Sequence, residues 1–355
     1  MSEKVTIAAI ARACGTSIGT VDRALNNRSG INPKTKAMVL ETADRLGYRT
    51  NKIAAALSRK NLKRIAVIYP RAPEGFYRCM EKGIKKAAED IAIFGVEVES
   101  FRYGVDGAQD EDRILHELDT DRYDGFALDP LNRSSADFVD RISAAGKPVV
   151  LFNNDLPLSS RLFFVGGDAV QAGRIGGDIL GHLMGGEGSA AVLGNFINSM
   201  PFLGRYDGFC RSMEKYYPDI QVSCCADCRH DDAVTEQNIA GFINGGRGKH
   251  GIFCTSYSST LGAVQALRRL GGDDVLLVGF DVSRITADAV KDGRCSALIY
   301  QAPYRQAYQA VELLSRHILE GWESGEKEIL IPSGIAFREN IEDFADGTMR
   351  GDFLI

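Results

Sequence analysis

TIAAIARACGTSIGTVDRA, residues 6–24, reads as two short helices about a tight turn. Thr6 can cap the first helix with its hydroxyl, and Ile7, Ile10 and Ala11 then share one face at i, i+3 and i+4. Cys14-Gly15-Thr16 breaks that period, and Gly15 can take the positive φ of a sharp turn. Thr16 or Ser17 restarts a helix, whose apolar side is Val21 with Ala24 or Leu25. Two helices joined by so short a turn form a helix-turn-helix, whose second helix enters a DNA major groove. The same residues contain Gly15-Thr16-Ser17-Ile18-Gly19, a match to the G-x-S-x-G elbow of hydrolases. That elbow needs a strand before its serine. A helix precedes Ser17 here, which argues against an enzyme.

Downstream, Asn32-Pro33 starts a third helix as cap and first helical residue. Val39, Ala43 and Leu46 are its expected inner face, and Gly47 its stop. Residues 1–50 are thus expected to be a small all-α DNA-binding domain. NKIAAALSRK follows at 51–60: Ala-rich, but too short to be a stable helix alone. Residues 51–62 therefore read as a hinge helix that orders on DNA, with a plain linker as the alternative.

From Arg64 the pattern changes to apolar runs alternating with helical stretches. Expected strands are Ile65–Tyr69, Val96–Phe101, Gly125–Leu128, Val149–Phe152, Leu162–Val165, Ala190–Leu193, Gln221–Cys224, Ile252–Cys254, Val275–Val278 and Ser296–Tyr300. Helical patterns such as Tyr77–Phe94, Gln171–Met184 and Tyr304–Glu320 fill the gaps. Near-continuous apolar strands belong to parallel sheets covered on both faces. The expected fold is α/β: a two-lobed, doubly wound parallel-sheet body with the helical head in front. The body is placed at 63–345, with lobe 1 at about 63–160 and 302–325 and lobe 2 at about 161–301 and 326–340. Ligands of such sheets bind at the carboxyl ends of the strands.

Charge separates the same two parts. The 355 residues carry a net −5, yet residues 1–64 hold 13 Lys and Arg against four Asp and Glu. The head is therefore at +9 and the rest at −14, an electrostatic footprint for phosphate confined to the head. No run of 18 apolar residues is present, and the N-terminus lacks the apolar core of a signal peptide, so no membrane partner and a cytoplasmic location are expected. Cys224, Cys225, Cys228 and His230 supply only part of a zinc set, and ordinary thiols are the expectation. No Walker loop, G-x-G-x-x-G or H-E-x-x-H occurs, the five His are scattered, and the Gly pairs read as turns and close packing. Neither a cofactor nor catalysis is called for.

VTIAAIARACGTSIGTVDRALNN, INPKTKAMVLETADRLGY and NKIAAALSRK, in that order, closely resemble the LacI/GalR family of bacterial transcription regulators. The body resembles that family's effector domain, which is similar to periplasmic sugar-binding proteins. The resemblance implies that Ile18, Gly19 and Arg23 face bases, with Arg23 able to bond guanine O6 and N7. Ser17, Thr20 and Asn26 are implied at phosphates, Thr6 among the DNA-binding residues, Asn51 and Ala54 in the hinge, and Leu57 as a minor-groove wedge. Gly19 and Asp22 depart from the family's commoner polar residue and Ser. In the body it implies a sugar site at Phe76, Tyr77, Asp129, Asn153, Asp155, Arg205, Ser256, Tyr257, Asp281 and Gln301. Ser256-Tyr257 replaces the family's common Asn-Asp, which leaves the type of sugar open; a regulator with a non-sugar effector such as a purine is a further alternative. A homodimer on a near-palindromic operator, released or recruited by a small ligand, is the implied function; a cytoplasmic sugar-binding protein without DNA is the alternative.

Overall fold

The computed structural model of the chain describes residues 6–25, 30–46, 62–104, 108–195, 200–229, 231–245 and 248–347. They fall in two compact units, Met1–Asn61 and Leu62–Ile355. Gly47, the segment 51–61 with Asn51, Ala54 and Leu57, and the single residues Asn26 and His230 lie outside the described residues.

The first unit holds α1 (Ile7–Ala13), α2 (Ile18–Leu25) and α3 (Pro33–Arg45). Thr6 Oγ1 accepts from the Ala9 amide at 3.2 Å and so caps α1. Gly15 turns the chain at φ +60°. Ser17, not Thr16, opens α2: its Oγ accepts from the Thr20 amide at 3.1 Å. Asn32 caps α3 by accepting from the Lys34 amide at 2.9 Å. Ile10, Val21 and Val39, each fully buried, close the core with Ala11, Ala24 and Ala43. Burial of each of the three larger side chains stabilises the head by about 1.5–3 kcal/mol. Leu46 is instead 37% exposed, because it caps the end of α3 beyond the last turn that meets the other helices.

The second unit contains two six-stranded sheets. The first uses β1 (Lys63–Pro70), β2 (Val96–Tyr103), β3 (Gly125–Leu128), β4 (Val149–Phe152), β5 (Phe163–Gly167) and β11 (Glu328–Ile331). Its order is β2-β1-β3-β4-β5-β11, all parallel. The second uses β6 (Gly188–Gly194), β7 (Ile220–Asp227), β8 (His250–Cys254), β9 (Leu276–Phe280), β10 (Ala297–Tyr300) and β12 (Gly334–Ala336). Its order, β7-β6-β8-β9-β10-β12, repeats the first, except that β12 is antiparallel. Nine helices of the described residues connect them: α4 (Glu74–Ala92), α5 (Ala108–Glu117), α6 (Ser135–Ala144), α7 (Ala169–Met184), α8 (Met200–Tyr216), α9 (Asp232–Gly245), α10 (Tyr257–Leu270), α11 (Arg284–Lys291) and α12 (Pro303–Glu320).

All ten expected strands are present. The lobe boundaries move. β5 hydrogen-bonds to β4, so the chain leaves the first sheet after Gly167 rather than at 160. β11 pairs with β5, so Glu328–Ile331 belongs to the first sheet and not, as expected for 326–340, to the second. The chain passes between sheets three times: after β5, after β10 and between β11 and β12. Helix α12 follows β10 yet packs on α4 and on β1, β3, β4 and β5. Glycine permits one contact that matters for the site. A Cβ on Gly173 of α7 would lie 2.0 Å from the Arg205 carbonyl oxygen, and one on Gly208 of α8 would lie 2.0 Å from that of Val170. These two helices therefore cross at backbone contact, and that crossing sets where α8 carries Arg205.

Candidate functional site

Two sites follow from this framework, each within one unit. In the head, Val21 and Ala24 point α2 inward, which turns Ile18, Gly19 and Arg23 outward; Ile18 is 58% exposed. Ser17 is exposed, and its hydroxyl is shared with Thr20 Oγ1 at 2.9 Å. Thr6 is exposed at the start of α1. The helix thus presents an apolar residue, a bare backbone and one guanidinium on the same face.

In the body, the strand ends of the two sheets supply two polar walls. Asp129 follows β3 and is fully buried. Its Oδ2 accepts from the Tyr77 hydroxyl at 3.0 Å and the Asn153 amide at 2.9 Å, and its Oδ1 from the Asn154 amide at 2.7 Å. Tyr103 donates to its backbone oxygen at 2.5 Å. Burial pushes the Asp129 carboxyl up to about 7, while the Asn153, Asn154 and Tyr77 hydrogen bonds pull the other way. Phe76, 8% exposed, packs edge-on against Tyr77 at 5.3 Å. Asn153 takes φ +60° at the end of β4, which turns its amide back to Asp129.

The opposite wall is a relay. Arg205 Nη1 donates to the Thr255 carbonyl and Nη2 to Gln301 Oε1, while its guanidinium lies over the Phe280 ring at 4.3 Å. Gln301 Nε2 donates to Asp281 Oδ2 at 2.8 Å. Asp281 ends β9 at φ +61°, the position matching Asn153 in the other sheet. Burial raises its carboxyl to about 7 against the pull of Arg205 and Gln301. Burial also lowers Arg205 to about 10, with Asp281 opposing. Two buried atoms are left over: Arg205 Nε, a donor, and Asp281 Oδ1, an acceptor.

Asp155 and Ser256 are occupied elsewhere. Asp155 Oδ2 accepts from Arg161 Nη2 at 2.7 Å, Oδ1 faces Arg161 Nε, and Arg161 Nη1 reaches the Lys327 carbonyl at 2.7 Å. This ion pair, with side chains 4% and 15% exposed, ties the end of β4 to the approach to β11. Ser256 caps α10, accepting from the Ser259 amide at 3.2 Å. Tyr257 is the first residue of that helix and half-buried. Asp155→Ala is therefore expected to cost about 3 kcal/mol of stability, since it leaves a buried guanidinium with only the Lys327 carbonyl and the exposed Glu328 carboxylate 3.6 Å away. Ligand affinity of the folded fraction should change less than about threefold, a shift of under roughly 0.7 kcal/mol. Denaturant melts paired with calorimetric titration separate the two effects.

Glu111 was not expected at the site. It is fully buried on α5, where it accepts from the Ser135 hydroxyl at 2.6 Å and from the amides of Leu131 and Asn132 at 3.2 and 3.1 Å. It holds the loop that leaves Asp129, and burial raises its carboxyl to about 7. Its signal was a Glu in the helical stripe Glu111, Ile114, Leu115, Leu118. Cys225 is exposed and Cys228 buried. Among the described residues no group of three His, Cys, Asp or Glu is placed to hold a metal, and no helix is long and apolar enough to cross a membrane.

A helix-turn-helix head in front of two doubly wound lobes with a polar cleft is the build of a bacterial regulatory protein. Residues 65–323 match the periplasmic binding protein domain, and residues 6–51 match the bacterial regulatory proteins of the lacI family. The body belongs to the periplasmic binding protein domain family, and the head is a lacI-family domain of bacterial regulatory proteins. It is 27% identical over 285 residues to the HTH-type transcriptional regulator DegA of Bacillus subtilis, covering 78% of this chain and 82% of that one. It is 33% identical over 153 residues to catabolite control protein A of Priestia megaterium, 41% of this chain and 43% of the relative. The crystal structure of a sugar ABC transporter sugar-binding protein from Bacillus halodurans superposes with a TM-score of 0.71 at 23% identity, over 79% of this chain and 99% of that one.

Proposed function

We propose that the chain is a cytoplasmic transcriptional regulator that binds a near-palindromic operator as a homodimer and changes its affinity when a sugar or similar polyol enters the cleft. The observation that carries the ligand reading is the pair of buried atoms at Arg205 Nε and Asp281 Oδ1. A buried donor and acceptor without partners cost about 1–3 kcal/mol each. A hydroxyl can accept from a donor such as the first or donate to an acceptor such as the second, and a sugar carries several. Phe76, Tyr77, Asp129, Asn153, Tyr257 and Gln301 complete the proposed walls, with Asp155 and Ser256 holding strand and helix ends in place. The DNA reading rests on the charge of residues 1–61, 11 Lys and Arg against four Asp and Glu, and on the outward face of α2. Two heads on a dimer read two half-sites in successive major grooves. A ligand shifts that binding only by favouring one arrangement of the lobes over another.

The test is made on the full chain and on a form lacking residues 1–61. The full chain should select a DNA site from a random library; the truncated form should select none. A sugar or polyol at a hundred times its dissociation constant should stabilise both forms by about 2.7 kcal/mol. Stabilisation by a purine and by no sugar would replace the effector reading and leave the regulator. Arg23→Ala is expected to weaken the selected site by about 5- to 150-fold, 1–3 kcal/mol, and to relax the choice of guanine at one position. An unchanged site preference for Arg23→Ala would remove it from the base-reading set.

A further inference from the structure

We propose that Tyr257 is a gate that closes one end of the cleft against Gly75 and restricts the ligand to a single sugar ring. The proposal rests on the carbohydrate reading of the cleft. Tyr257 lies two residues past Thr255, whose carbonyl receives Arg205. Gly75 lies two residues before Tyr77, whose hydroxyl holds Asp129. The contact between them therefore bridges the two walls beside their ligand-facing groups.

Its geometry is tight. A Cβ built on Gly75 would lie 2.8 Å from Tyr257 Oη and 3.1 Å from Cζ. The phenol tip rests on bare backbone in the first turn of α4. Gly75 is not at a positive φ, so the backbone does not demand glycine there. A helical glycine costs about 1 kcal/mol against alanine, and the room it makes for the phenol accounts for its presence. The root of the ring is fixed as well. Ser256, immediately before the tyrosine, and Ser259, two residues after it, form a reciprocal capping box at the start of α10. A tyrosine has only two side-chain torsions, so holding it across the gap costs little entropy. A second sugar ring leaving the cleft at this end would have to occupy the space of the phenol. A second contact between the lobes, Arg133 Nη2 to Met200 Sδ at 3.6 Å, joins them at another point.

The experiment titrates the full chain calorimetrically with D-glucose, D-galactose and D-xylose, and with maltose, cellobiose, lactose and xylobiose. The wild type should bind one monosaccharide and its disaccharides at least a hundredfold more weakly. Tyr257→Ala should bind a disaccharide at least tenfold more tightly than the wild type does, with the monosaccharide weakened less than tenfold. Tyr257→Phe keeps the ring and should keep the exclusion. Gly75→Ala should weaken the monosaccharide by threefold or more in the wild type and not in the Tyr257→Ala background. Melting curves establish that each variant is folded, and the half-buried site makes Tyr257→Ala a mild change. A wild type that binds disaccharides as tightly as monosaccharides, or a Tyr257→Ala or Tyr257→Phe that behaves otherwise, overturns the gate and leaves the carbohydrate reading standing. Silence of wild type and Tyr257→Ala toward every saccharide overturns that reading, and the gate with it.

Discussion

Arg205→Leu should reduce ligand affinity by more than about a hundredfold, which is about 2.7 kcal/mol. Three effects add. In the proposed site the guanidinium Nε, buried without a partner, is a charged donor for the ligand, and such bonds contribute about 1.5–3 kcal/mol. Its Nη2 fixes the Gln301 amide, which in turn aims Asp281. Its removal also leaves the Thr255 carbonyl and Gln301 Oε1 without their donor, and a buried polar group stranded in this way costs about 1–3 kcal/mol of stability. The variant should therefore both melt earlier and bind worse. Arg205→Lys should recover less than a tenth of the affinity, because an ammonium cannot serve Thr255 and Gln301 at once as the planar fork does. Affinity within threefold of wild type for Arg205→Leu would mean the ligand is held elsewhere.

Stability should fall as pH rises from about 5 to 8, and Asp129→Asn should flatten that slope. In the unfolded chain an aspartate titrates near 3.9; in the fold, burial holds Asp129 near 7. Between those values the folded state keeps a proton that the unfolded state has released. The resulting stabilisation is full below about pH 4 and is lost as pH passes 7. Glu111 and Asp281 shift the same way and add to it. Each group contributes on the order of 2 kcal/mol across that span, or several degrees of melting temperature for a body of this size. An asparagine with its oxygen at the Oδ2 position keeps the Tyr77 and Asn153 bonds, and its amide then meets Asn154, whose side-chain amide can turn over to accept from it. Calorimetric melts of wild type and variant at pH 5, 6, 7 and 8 make the comparison; an unaltered slope in Asp129→Asn would refute the assignment of that proton.

The core of each sheet was legible because its strands are unbroken apolar runs such as Val149–Phe152, buried at every position. β11 and β12 were not. They are edge strands of four and three residues, and Glu328–Ile331 exposes half of its side chains, so neither has the pattern of a central parallel strand. The lobe boundaries depended on those two strands and shifted with them. Residues at strand ends were legible as a group, since the topology must bring them to one cleft. Which carboxylate meets a ligand was not. Asp129, Asp155 and Asp281 look alike in sequence. Asp155 differs only because Arg161, six residues on, folds back over both of its oxygens.

The route of α12 has a consequence for synthesis on the ribosome. The first sheet's strands β1 to β5 are all made by residue 167, yet the helix that covers them begins at Pro303, and the edge strand β11 follows at Glu328. At bacterial-scale elongation of about 5–20 residues per second, that surface waits on the order of ten seconds for its cover. The head, whose core is drawn from α1, α2 and α3, can fold the moment it leaves the tunnel. The nascent chain is therefore able to touch DNA before the part that would regulate it exists, and the exposed apolar face of the unfinished sheet is where a chaperone would find it.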